Sequence, residues 1–242
     1  DFFVLNQEDS MVLKRRETVA SPITASGRKN AMRIAIIGIG NVGSALARGF
    51  VRAGHQVVLG VRNAGDAKVS SLAQNTNAEV NSPSGAAASA DVIVLALPWT
   101  AAEEAVRSLG NLKGKIVIDC MNPLAMRNGV LGLDRGFDTS GAEALANWIP
   151  DARIVKTLNQ VGAELMADNS DLPHRPVMFM ASNDAEAKAA VSALLTGLGF
   201  EALDAGDLTK ARLLEPYGMV WINQALFRGQ GRDWAFAAVK RT

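Results

Sequence analysis

The chain is predicted to be an α/β protein, a Rossmann-type doubly wound parallel sheet followed by a smaller C-terminal α+β domain. Three observations predict it. From Met32 onward, short Val/Ile/Leu-rich runs alternate with longer Ala-rich amphipathic stretches, the pattern of buried parallel strands and covering helices. The first such junction carries Gly38-Ile39-Gly40-Asn41-Val42-Gly43, the Gly-x-Gly-x-x-Gly spacing, immediately after an apolar strand and at the start of a helix. Hydrophobic residues make up 48% of the 242, enough for a core in each of two units.

Residues 1–31 are polar, mixed in charge and without sustained periodicity, so they are expected to be a disordered extension outside the fold. Lys14-Arg15-Arg16 is not followed by the apolar run that a secretory signal needs, and Met11 and Met32 are alternative starts. The Rossmann domain is expected over 32–162. Met32–Gly38 is its first strand, Asn41–Ala53 a helix, and Gln56–Val61 a second strand after the turn Ala53-Gly54-His55. Asp91–Leu97, Thr100–Leu109 and Lys115–Cys120 repeat the order strand, helix, strand. Ala142–Trp148 is a further helix and Arg153–Leu158 a further strand, with the boundary placed near Gly162.

The smaller domain, 163–242, is expected to hold a strand at Pro176–Ala181, a helix at Asp184–Leu198 and a short strand at Glu201–Asp204. Asn183, with Glu186 three residues on, resembles a capping box. A last helix begins near Asp207 and meets Pro216, which kinks or restarts it.

Charge and composition narrow the partners. The 25 basic and 24 acidic residues are interspersed, leaving a net +1 and no basic footprint for nucleic acid or anionic lipid. No apolar run reaches membrane-spanning length. The single cysteine, Cys120, excludes an intrachain disulfide framework and any CxxC knuckle for a metal, and a reducing cytoplasm is the expected compartment.

The glycines point to a dinucleotide. Gly38 permits the tight turn, Gly40 lets a pyrophosphate approach the backbone, and Gly43 lets helix and strand pack closely, while the helix N-terminus offers free N–H groups. After the second strand the chain reads Gly60-Val61-Arg62-Asn63. An acidic residue there would bind the ribose 2′-hydroxyl, whereas Arg62 suits a 2′-phosphate, so NADP(H) is expected over NAD(H), with Lys68 as a second cation. Leu97-Pro98-Trp99 and Met121-Asn122-Pro123 follow later strands, where such folds hold the nicotinamide end, and Thr157 and Asn159 follow the next. Trp99 is expected to wall the cofactor and Asn122 to hydrogen-bond it.

No HExxH, GxSxG or Walker loop occurs, which leaves redox chemistry. Tyr217, the sole tyrosine, has Trp221 four positions on rather than the lysine of short-chain dehydrogenases. His55 and His174 sit in a turn and a loop, and no catalytic side chain is assigned. Without a proton donor, the favoured acceptor is a ring that delocalises the incoming electron pair, a deazaflavin or flavin. Two alternatives stay open: reduction of a small imine or keto substrate with Lys156 or Lys210 as the acid, and an NADP(H)-sensing module without chemistry.

GIGNVG, the Val-Arg after the second strand, Leu-Pro-Trp, and LDAGDLTKARLLE near residue 203 together resemble the coenzyme F420-dependent NADP oxidoreductase family over about Met32 to Phe227. The resemblance implies NADP(H) contacts at Ile39, Gly40, Asn41, Val42, Arg62, Lys68, Leu97 and Trp99, and a C-terminal domain shaping the pocket of a second redox partner, F420 or a flavin. Val61 departs from the hydroxyl residue that often precedes the arginine, and Gly218–Arg241 matches loosely. Related cofactor domains occur in metalloreductases that pass electrons through flavin to iron. The aromatics Trp221, Phe227, Trp234 and Phe236 are expected to be core or a homodimer interface, with a flavin contact as the other role.

Overall fold

The computed structural model of the chain describes residues 31–239 and 241. The expected extension, with Met11 and Lys14-Arg15-Arg16, lies outside the described residues but for its last position.

The first unit is β1 (Arg33–Ile37), α1 (Asn41–Arg52) and β2 (Gln56–Gly60), with β1 and β2 parallel and Ile36 beside Leu59. Both strands are covered on both faces, which is why they are apolar throughout. Ile34 and Ile36 face one core layer with Leu46 and Phe50 of α1; Ala35 and Ile37 face the other. α1 ends at Ala53, and Gly54 at φ +90° turns the chain back into β2.

Next come α2 (Ala67–Thr76), β3 (Glu79–Asn81) and α3 (Pro83–Ser89), elements not expected from the sequence. All three residues of β3 are exposed, so no apolar period marks the strand. β4 (Val92–Leu95), α4 (Trp99–Arg107) and β5 (Ile116–Asp119) follow as expected, then an antiparallel hairpin, β6 (Leu124–Arg127) and β7 (Val130–Leu133), then α5 (Gly141–Trp148) and β8 (Arg153–Lys156).

The remainder supplies α6 (Ala163–Ala167), β9 (Val177–Ala181), α7 (Ala185–Gly197), β10 (Glu201–Gly206), a 3₁₀ turn (Leu208–Lys210) and α8 (Ala211–Ile222), which runs into a π-helical turn, Asn223–Phe227. One eight-stranded sheet has the order β10-β9-β8-β5-β4-β1-β2-β3. From β3 to β8 the neighbours are parallel; β9 meets β8 antiparallel at Ala181 and Lys156, and β10 runs parallel to β9. The segment after Gly162 thus adds two strands to the same sheet, and one apolar layer reaches from Phe50 of α1 to Leu195 of α7.

Two local expectations change. α7 is capped by Asp184, whose carboxylate accepts from the Ala187 N–H at 2.8 Å, and not by Asn183, which accepts from the Leu208 N–H at 3.0 Å. Asp184 is fixed in that role by Arg153, which donates to both of its oxygens at 2.6 and 2.7 Å. Pro216 does not restart a helix: it lies exposed within the continuous α8.

Candidate functional site

The three glycines at the junction of β1 and α1 are needed for different reasons. Gly38 has φ +94°, and a Cβ there would lie 2.5 Å from the Ala96 carbonyl oxygen. A Cβ on Gly43 would lie 1.8 Å from the Gly38 carbonyl oxygen, whereas one on Gly40 would meet nothing within 4 Å. Gly40 is the N-cap of α1, with no side-chain cap and no acidic residue in the first turn. The Ser44 N–H already donates to the Gly40 oxygen at 3.0 Å, so the free helix donors are the N–H groups before it. Open space over Gly40 and uncapped donors beside it fit a dinucleotide pyrophosphate. Ile39 and Val42 pack against the core and leave only backbone to a ligand; Asn41 is exposed.

Beyond β2, the Val61 N–H donates to the Asn81 oxygen at 3.0 Å and releases Arg62 to solvent. Asn63 Oδ1 accepts from the Gly65 N–H at 3.1 Å, and Asp66 caps α2 by accepting from the Lys68 N–H at 2.8 Å. Among the described residues, neither the Arg62 guanidinium nor the Lys68 ammonium has a hydrogen bond or ion pair. Lys68 also lines a cavity of about 450 Å³ between α1, α2 and α6, with Asn41, Ser44, Arg48 and Asn75. Arg48 is not among the residues expected here from the sequence, although its spacing from Asn41 and Ser44 puts it on the same helix face.

The other half of the site gathers the loops after β4, β5 and β8. Leu97 reaches back to within 3.0 Å of where a Gly38 Cβ would stand, so the loops after β1 and β4 touch. Pro98 is the exposed N-cap of α4. Trp99 begins that helix, stacked on Trp148 at 5.3 Å, with the Arg135 guanidinium 5.0 Å over its ring and its Nε1 donating to Asp134 at 3.5 Å.

Asn122 is tied to Asn159 in both directions: its Nδ2 donates to the Asn159 backbone oxygen at 3.0 Å and its Oδ1 accepts from Asn159 Nδ2 at 2.9 Å. Asn159 Nδ2 also donates to the Leu214 oxygen of α8 at 3.0 Å. Gly218 permits this approach, since a Cβ on it would lie 2.7 Å from the Asn159 oxygen. Pro123 is buried beside Gly141, and Thr157 Oγ1 donates to the Phe179 oxygen at 2.8 Å.

The titratable groups have settled roles. Lys156 is fully buried, with its Nζ 3.2 Å from Asp119 Oδ2, 3.1 Å from Glu215 Oε1 and in hydrogen-bond contact with the Met121 oxygen. Burial by itself would lower its pKa, but the Asp119 and Glu215 carboxylates outweigh it and hold the ammonium above the usual lysine range. Its position inside a strand pattern hid this; only Glu215, the sole charge between Leu213 and Phe227, hinted at a buried partner. Lys210 is at the surface, its Nζ 3.3 Å from Thr209 Oγ1 and 3.7 Å from Asp207.

Burial lowers the pKa of His55, whose Nδ1 accepts from the Met32 N–H at 3.2 Å, and His174 is exposed. Tyr217 packs between Phe179 and Phe236, and burial pushes its hydroxyl up to about 12. Trp221 stacks on Trp234 and donates to its backbone oxygen at 3.0 Å, while Trp234 meets Phe236 edge-on; Phe227 is exposed. Among the described residues, no helix is long and apolar enough to cross a membrane, and no group of His, Cys, Asp and Glu is placed to hold a metal ion.

The family model described as NADP oxidoreductase, coenzyme F420-dependent, matches residues 33–123. The F420-dependent NADP reductase of Methanothermobacter marburgensis is 30% identical over 207 residues, covering 79% of this chain and 92% of that protein. Metalloreductase STEAP3 of Rattus norvegicus is 28% identical over 207 residues, but the chain spans only 40% of its length. A solved structure from Arthrobacter sp. FB24, assigned to the F420-dependent NADP reductases, superposes with a TM-score of 0.79 at 31% identity, covering 87% of this chain and all of that one. The chain belongs to the coenzyme F420-dependent NADP oxidoreductase family.

Proposed function

We propose that the chain transfers hydride between NADP(H) and a deazaflavin of the F420 type, or a flavin-like ring. The observation that carries the choice is the extent of likeness: the chain spans 92% and 88% of two F420-dependent NADP reductases but about two fifths of the metalloreductases it matches.

In this reading the N–H groups after Gly40 hold the pyrophosphate, with Gly38 and Gly43 shaping the turn, and Arg62 and Lys68 hold the 2′-phosphate. Asn63, whose Oδ1 accepts from the Gly65 N–H at 3.1 Å, lies exposed beside Arg62 at the same end of the dinucleotide. Leu97, Pro98, Trp99, Asn122 and Pro123 bound the nicotinamide end. The bound dinucleotide supplies or accepts the hydride at its nicotinamide ring. The chain orients that ring, Lys156 is held by three acceptors and is not the acid, and the ring delocalises the incoming electron pair until it takes the balancing proton from solvent.

The test is to mix the protein with NADPH and F420, FMN or FAD and follow absorbance. Oxidation of NADPH with F420 is the expected result. Turnover of a small imine or keto compound instead, lost in Lys210→Ala, would replace this reading with the alternative reductase. Tight NADPH binding with no turnover by any acceptor would replace it with a sensing role.

A further inference from the structure

We propose that Glu215 is a positioning residue which, through Lys156, holds the loop carrying Asn122 and so sets where the nicotinamide end of the dinucleotide lies. The inference rests on the reading above that NADP(H) occupies this site.

Asp119, Lys156 and Glu215 are 0, 0 and 1% exposed, and they come from β5, β8 and α8. Their hydrogen bonding is complete. The three protons of the Lys156 ammonium meet three acceptors, Asp119 Oδ2, Glu215 Oε1 and the Met121 oxygen. The other Asp119 oxygen accepts from the Met121 N–H at 2.9 Å. Glu215 also accepts from the Gly141 N–H at 2.9 Å and the Ala142 N–H at 3.1 Å, donors that the Ser140 cap of α5 leaves free, where a carboxylate is favoured.

Met121 is therefore gripped at both its N–H and its carbonyl, and the next residue is Asn122. The same helix that bears Glu215 offers the Leu214 oxygen to Asn159, the partner of Asn122. A shift of α8 would thus reach both amides at once. Burying three charges gives little net stability, since apolar residues of similar volume are often at least as stable. What the ions add over an apolar trio is direction: fixed acceptors at fixed distances from one loop.

The test uses the full chain with Glu215→Gln, which removes the charge facing Lys156 and turns an acceptor into a donor. Two ligands are titrated by calorimetry: 2′,5′-ADP, which reports the adenosine half, and NADPH, whose nicotinamide emission is recorded when bound. The expected result is 2′,5′-ADP affinity within about twofold of wild type, NADPH affinity down about tenfold, and emission shifted toward that of free NADPH. Where Glu215→Gln does not fold, the uncharged trio Asp119→Asn, Lys156→Met, Glu215→Gln is measured in the same way, with the same split expected. A folded variant with wild-type affinity for both ligands and unchanged emission would overturn the proposal, and so would equal weakening of both. Neither measurement needs an acceptor, so a failure to reduce F420 counts against the proposed function alone.

Discussion

Gly43 lies so close to Gly38 that a Cβ on Gly43 would stand 1.8 Å from the Gly38 carbonyl oxygen, and the turn that presents the helix N-terminus depends on this contact. Gly40, between them, has open space above it and an ordinary φ of −63°. The two glycines therefore separate folding from binding. Gly43→Ala is expected to destabilise by about 1–3 kcal/mol or more, the range for overpacking, and to lower the thermal midpoint. Gly40→Ala is expected to keep the wild-type midpoint while weakening NADPH, because its methyl group enters the space through which a pyrophosphate approaches. Thermal melts beside calorimetry decide it; a Gly40→Ala variant with undiminished NADPH affinity would remove the pyrophosphate from this loop.

Arg62 has no partner among the described residues, so its charge is available to a ligand. A hydrogen bond to a charged group contributes about 1.5–3 kcal/mol, which is tenfold or more in affinity. Arg62→Ala should weaken NADPH by that factor, leave NADH binding unchanged and leave the melting temperature unchanged. Equal affinity of the wild type for the two dinucleotides would contradict the assignment.

Cys120 is buried with its Sγ donating to the Leu95 oxygen at 2.9 Å, and burial pushes the thiol up to about 12. Near pH 8 almost none of it is thiolate, the reactive form. The native protein should resist a disulfide reagent that labels the urea-unfolded chain once, at its only cysteine. Rapid labelling without denaturant would show the strand end to be open.

Asp184 is held down at about 2, first by hydrogen bonds from Arg153 and then by the Ala187 N–H at the start of α7. Folding therefore favours the ionised carboxylate. Its contribution is complete above the unfolded value near 3.8 and disappears as pH falls through about 2. The thermal midpoint should drop across that window, and Asp184→Asn should start lower at neutral pH and drop less steeply. An equally steep fall in the variant would assign the acid sensitivity to other carboxylates.

The elements legible in the sequence are those whose burial is decided by near neighbours. The β1-α1-β2 unit could be placed because apolar runs, the glycine spacing and the Gly54 turn lie within about thirty residues, the span of one βαβ unit. β3 escaped because all of its residues are exposed, and the β6-β7 hairpin because it lies outside the main sheet, with exposed residues at Met126, Arg127 and Val130. Arg62 and Asn122 could be proposed for the site because strand ends in this fold face the ligand; that Asn122 is bound reciprocally to Asn159, and not free, required the packing of α8.

The amino-acid order alone thus determined the doubly wound sheet and the glycine turn that opens α1, and it singled out Arg62 as the cation to propose for a 2′-phosphate, since each depends on periodicity or on residues a few positions apart. Only the tertiary structure decided the role of Lys156. In the sequence it was a candidate proton donor, but it is locked between Asp119, 37 residues earlier, and Glu215, on a helix that also meets Gly141 from 74 residues away. Whether a charge is free or fixed depends on which distant groups share its desolvated space, and no local pattern in the chain records that.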